Sequence, residues 1–128
     1  MNVLIVDCNE TARQHLSTLI QNISGCKEVG QVEDGVEAIY QTHKLDVDVL
    51  LIDVETPQAD GIETIRQVNK MNNPPLTIIT TSSPDNAMAA FNANVFSYLL
   101  KPIREKKLRG TLEPVSYTHL TLPTICSV

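Results

Sequence analysis

Five short apolar runs, rich in β-branched residues, alternate along this 128-residue chain with segments of helical periodicity, and that alternation restricts the fold more than any other feature. The runs are Val3–Val6, Glu28–Val32, Val47–Ile52, Leu76–Thr80 and Phe96–Leu100. Between them Ala12, Leu16, Leu19, Ile20 and Ile23 form an amphipathic stripe; Val36, Ile39 and Tyr40 mark a second helix, and Ile62, Ile65 and Val68 a third. Asp60 and Glu63 are spaced as a capping box at the start of that third helix. A fourth helix is expected over Asp85–Asn92 and a fifth from near Arg104. Strands separated by helices pair in parallel, because each crossover returns the chain to the same end of the sheet. Val47–Ile52 reads VDVLLI, nearly all apolar, as a central strand covered on both faces must be. The expected fold is therefore α/β: a single doubly wound five-stranded parallel sheet with helices on both faces.

A chain of this length supports one domain with one sheet-centred core. Five aromatics and no Trp leave that core to Val, Ile, Leu and Ala. No apolar run approaches the ~18–20 residues of a membrane span, and MNVLIVD lacks the basic start of a signal peptide, so a cytoplasmic location and no membrane partner are expected. The net charge of −5 argues against this segment gripping nucleic acid. Cys8, Cys26 and Cys126 have no metal-ligand spacing and read as reduced thiols, Cys8 as a small packing residue. His15 and His43 fall on helices as exposed or half-exposed polar positions and receive no catalytic role.

The C-terminal end is of another kind. Val115–Val128 has no charged residue apart from His119, neither helical stripe nor strand alternation, and an interrupting Pro123. VSYTHLTLPT also back-translates as GTC TCT TAT ACA CAT CTG ACG CTG CCG ACG, which resembles a common transposon sequencing adapter. The expected organisation is a domain over 1–113, its fifth helix truncated, and a non-native or disordered tail over 114–128.

Three strand ends carry polar groups directly after apolar runs. Asp7 follows Val3–Val6, Asp53 follows Val47–Ile52, and Lys101 follows Phe96–Leu100; a fourth end offers Thr80, Thr81 and Ser82. In an open α/β sheet, ligands sit outside the carboxyl ends of the strands. Two carboxylates meeting there repel each other. A hard divalent cation relieves that repulsion, and Mg²⁺ accepts one or two carboxylates plus water and phosphate oxygens. With an ammonium and a hydroxyl beside them, the groups suit phosphoryl transfer, where catalysis is mostly positioning and charge stabilisation.

The segments VLIVD, LLIDVETPQADGIE and YLLKPI, with a Thr-rich strand end between the last two, resemble the response-regulator (CheY-like) receiver family over about Met1 to Leu112. PPLTIITTS and AMAAFNANVFSYLLKPI are most similar to receivers that precede LytTR-type DNA-binding domains. The resemblance implies a flavodoxin-like strand order of 2-1-3-4-5. It also implies Asp53 as phospho-acceptor in a two-component phosphorelay, receiving its phosphoryl group from a histidine kinase or phosphotransfer protein. Asp7, Asp53 and the backbone carbonyl of Glu55 would hold Mg²⁺, and Lys101, before a Pro102 that is typically cis, would pair with the phosphate. Thr81 would bond the phosphoryl group, with Thr80 one step away as the alternative, and Tyr98 would be the switch aromatic. The fourth helix, fifth strand and fifth helix would form an output face able to carry a homodimer, with transcriptional output through a missing C-terminal DNA-binding domain.

One departure bears on the chemistry. The family usually has a second acid after Asp7, and here it is Cys8, so one charge and one hard oxygen ligand are lost and Mg²⁺ binding is weakened. Thr56 and Ala59, where Met is commoner, carry no functional weight. Two alternatives to the signalling switch follow: a pseudo-receiver interaction module that no longer phosphorylates, and an aspartate-dependent phosphohydrolase suggested by Asp53-Val54-Glu55-Thr56. The chain is short for the latter and is expected not to be an enzyme beyond its own phosphorylation and dephosphorylation.

Overall fold

A computed structural model of the chain describes the backbone of residues 1–55, 61–85 and 94–126, with side chains as far as residue 115. Strands β1 (Asn2–Val6), β2 (Lys27–Val32), β3 (Val49–Asp53), β4 (Leu76–Thr81) and β5 (Ser97–Leu100) form one sheet in the order β2-β1-β3-β4-β5. Every neighbouring pair is parallel. Helices α1 (Glu10–Gln21), α2 (Gly35–Lys44) and α3 (Gly61–Asn69) and a C-terminal helix (Glu105–Cys126) complete the fold. The doubly wound arrangement and its strand order are those the sequence implied.

Strand periodicity divides the interior into two cores. Val3 and Ile5, Val49 and Leu51, Ile78 and Leu99 face α1 through Leu16 and Ile20, and the C-terminal helix through Leu108 and Leu112. The intervening Leu4, Val6, Leu50, Ile52 and Ile79 face α2 and α3 through Ala38, Ile65 and Val68. All five residues of β3 are buried, which is why that run is apolar on both faces. Asn9 caps α1 by accepting from the Ala12 amide at 2.9 Å, and Asp34 caps α2 by accepting from Glu37 at 2.9 Å. At α3, Glu63 bonds Arg66 and Gln67, while its expected capping partner Asp60 lies outside the described residues. Gly61 opens that helix hard against the β3 exit: a Cβ there would stand 2.6 Å from the Val54 Cα.

Of the fourth helix expected over Asp85–Asn92, only Asp85 is described, helical together with Pro84; 86–93 lie outside the described residues. The fifth begins at Glu105 and carries helical backbone to Cys126, where the sequence offered no amphipathic stripe. Its packing extends past the boundary expected at 113–114, since Val115 belongs to the first core, one turn on from Leu112. Cys8 differs from its expected packing role. Asp7 turns inward at the end of β1, and the next side chain is exposed.

Candidate functional site

Two residues on from Ile5, Leu51 and Leu99 along their strands come Asp7, Asp53 and Lys101, so strand alternation delivers all three to one end of one face. β1 and β3 flank the point where strand order reverses, the position at which open α/β sheets bind ligands. Lys101 Nζ donates to Asp7 Oδ2 and to Asp53 Oδ2, each at 2.8 Å. Asp7 is fully buried and Asp53 is 5% exposed. The remaining carboxylate oxygens are also engaged: Asp7 Oδ1 accepts from the Asn9 amide at 2.9 Å, and Asp53 Oδ1 from the Glu55 amide at 2.8 Å. The Lys101–Pro102 peptide is cis, as the resemblance implied.

One ammonium serves two buried carboxylates, and the protonation equilibria reflect the shortfall. Burial pushes the Asp53 carboxyl up; hydrogen bonds from Lys101 and from the Glu55 amide pull it down, the Asp7 charge opposes them, and the net direction is up. For Lys101, burial works against the ammonium, but the hydrogen bonds to Asp53 and Asp7 and their charges outweigh it, so its pKa is raised. The lysine holds its proton firmly while Asp53 holds its negative charge reluctantly. A pocket of this kind has room, electrostatically, for one more positive charge.

The donor chemistry suits a hard cation. Two carboxylates sharing one nitrogen fit the few protein oxygens that Mg²⁺ takes. Among the described residues no three His, Cys, Asp or Glu side chains are grouped to hold a metal.

The hydroxyls separate clearly. Thr81 Oγ1 donates to Glu55 Oε1 at 2.8 Å, with the Ser83 carbonyl at 3.3 Å, and accepts from the Ser83 amide at 3.1 Å. It therefore faces the rim of the site. Thr80 lies opposite Asp53 in the β3–β4 register, yet its Oγ1 is buried without a hydrogen-bond partner among the described residues. Tyr98 alternates with buried Leu99 and is exposed on the outer side of β5, beside a cleft of about 390 Å³ that also touches Leu100, Ile103 and Lys107.

Four engagements were not foreseen. The Glu55 carboxylate holds Thr81 and also takes Ser82 Oγ at 3.2 Å. Arg13 Nη1 donates to the Asp7 carbonyl at 2.8 Å, and His15 Nε2 lies 2.8 Å from the Ile103 carbonyl just past the cis peptide. Arg13 follows Asn9 at one-turn spacing, a signal that places it near the strand ends but not on a particular atom.

A family model described as the response regulator receiver domain matches residues 3–113. The chain is 38% identical over 112 residues to the transcriptional regulatory protein BtsR of Salmonella typhi, covering 88% of this chain and 46% of that protein. It is 30% identical over 113 residues to the transcriptional regulatory protein YpdB of Escherichia coli K12, with the same coverage. The chain thus spans about half the length of these relatives. The crystal structure of the response regulatory domain of MrkE from Klebsiella pneumoniae superposes with a TM-score of 0.84 at 28% identity, covering 92% of this chain and 97% of that one.

Proposed function

Since this chain belongs to the response-regulator receiver family, the phosphorelay signalling domains of two-component systems, we propose that Asp53 is its phospho-acceptor. The observation that carries the reading is the Lys101 ammonium held at 2.8 Å from both buried carboxylates. An Asp53 oxygen attacks the phosphorus of a phosphohistidine. The new P–O bond forms as the P–N bond breaks, and the electron pair leaves with the imidazole. Lys101, part-buried and positively charged, then pairs with a phosphoryl oxygen, and Thr81 donates to another. Asp7, Asp53 and the Glu55 carbonyl would hold Mg²⁺, which when bound neutralises charge between the carboxylates and the incoming phosphate. Tyr98 would follow the Thr81 movement as the switch aromatic. The phosphoryl group acts by binding one conformation better than the other.

The chemistry is tested by incubating the chain with a small acyl-phosphate donor and Mg²⁺ and measuring intact mass. The expected result is one phosphoryl adduct, absent in Asp53→Ala. Exposed Cys8 in place of an acid favours a second reading, the pseudo-receiver. No adduct in the wild type, with one gained in Cys8→Asp, would establish it. Adduct in neither would sink the phospho-acceptor reading. The family match lends no support to a phosphohydrolase.

The similarity to two transcriptional regulatory proteins supports an output in transcription, exercised through a DNA-binding part outside this chain; the likeness of the segments PPLTIITTS and AMAAFNANVFSYLLKPI favours the LytTR type for that part. A histidine kinase or phosphotransfer protein is the proposed donor. The exposed Tyr98 and Leu100 on β5, with Phe96 just before it, support an output face able to carry a homodimer. Among the described residues no helix is long and apolar enough to cross a membrane; the cytoplasmic location is proposed from the family.

A further inference from the structure

Glu55 stands at the junction of two hydrogen-bond systems. Its amide donates to Asp53 Oδ1 at 2.8 Å, while its carboxylate receives Thr81 Oγ1 at 2.8 Å and Ser82 Oγ at 3.2 and 3.4 Å. A hydroxyl carries one proton, so it donates to one acceptor at a time. The Thr81 oxygen also receives the Ser83 amide, which leaves its single O–H as the only group it can offer to an anion. While that proton lies on Glu55, it cannot lie on a phosphoryl oxygen.

We propose that the Glu55 carboxylate is a latch: it holds the Thr81 and Ser82 hydroxyls in the unphosphorylated protein and must be displaced before Thr81 can bond a phosphoryl group on Asp53. Glu55 is thus a positioning residue that opposes phosphorylation by retaining the hydroxyl the product needs. Hydrogen bonds to a charged acceptor are among the stronger ones in proteins, though exposure of Ser82 and Glu55 weakens these by solvent competition. The inference rests on the reading of Asp53 as phospho-acceptor and adds a competing acceptor within the same site.

The full chain is titrated with the phosphoryl mimic beryllofluoride in Mg²⁺, and apparent affinity is read by amide chemical shifts for the wild type, Glu55→Ala and Glu55→Gln. In parallel, the Thr81 χ1 rotamer of the unliganded proteins is read from three-bond scalar couplings. The latch predicts one Thr81 rotamer in the wild type, rotamer averaging in Glu55→Ala, and binding of beryllofluoride about fivefold tighter in that variant. Glu55→Gln keeps an oxygen acceptor, so it should hold the rotamer and gain less than Glu55→Ala. Equal gains in Ala and Gln would assign the effect to simple charge repulsion and overturn the latch. An unchanged single rotamer in Glu55→Ala would overturn it too, whether or not the mimic binds. If the mimic binds to no variant and averaging still appears in Glu55→Ala, the phospho-acceptor reading and the opposition to phosphorylation fail together, leaving only the hydrogen bonds.

Discussion

Replacing Lys101 with Met keeps most of the aliphatic stem and removes the ammonium that Asp7 and Asp53 share. The variant has two ways to accommodate the loss. It can keep both carboxylates ionised, at a repulsion of ~3 kcal/mol for charges ~5 Å apart in an effective dielectric of ~20, together with the lost hydrogen bonds. Alternatively, it can take up a proton. Protonating a carboxyl of ordinary pKa near ~4 costs about 1.4 kcal/mol per pH unit, hence ~4 kcal/mol at pH 7 and ~1.4 kcal/mol at pH 5. The cheaper route prevails at each pH. With the lysine side chain 26% exposed, the expected destabilisation lies at the lower end of the range for breaking a buried pair: ~3 kcal/mol at pH 7 and about half that at pH 5. The sign follows from linkage: the folded variant binds a proton that the unfolded chain does not, so its stability rises as pH falls. Urea unfolding of both proteins at the two pH values measures it. A deficit below ~0.5 kcal/mol at pH 7, or one that does not shrink at pH 5, would refute the view that one ammonium neutralises two buried acids.

Because the Lys101 pKa is raised in the folded protein, its contribution is full below the unfolded value and is lost as pH rises through the folded one; the alkaline loss of urea midpoint should be smaller in Lys101→Met than in the wild type. Asp53 is shifted up from 3.8, so its ionised form weighs against the fold; Asp53→Asn should gain stability at pH 7, and the gain should vanish as pH falls below 3.8. Gly61→Ala drives a Cβ to 2.6 Å from the Val54 backbone, which cannot swing aside, and should lower stability by about 2 kcal/mol in the same assay. Cys8→Asp restores a hard ligand and should tighten Mg²⁺ binding, measured by calorimetry, by about tenfold; unchanged affinity would show that water already replaces the missing oxygen.

The sheet was legible because burial on both faces leaves a plain mark: β3 is apolar throughout, and the alternate residues of β1 and β4 feed opposite cores. Asp7, Asp53 and Lys101 were legible for the same reason, as polar residues where apolar runs stop. Glu55 was noticed only for its carbonyl. Its side chain belongs to a loop without periodicity, and its bond to Thr81 joins residues 26 apart. His15 reads as a solvated helix position, and only the chain's return past Pro102 brings a carbonyl to it. The C-terminal segment misled differently: without a stripe it promised no helix, yet helical backbone continues from the well-packed Leu108, Leu112 and Val115.

The lysine and its two acids are separated by 94 and 48 positions in the chain. No fragment that ends before β5 owns a complete pocket, and no partly frayed molecule that has shed its last strand keeps one. On the reading proposed for Asp53, a ribosome-bound chain still lacking Lys101 would present that carboxylate without its cationic partner and should be a poorer phosphoryl acceptor. Competence to accept the phosphoryl group would thereby depend on the last strand having joined the sheet.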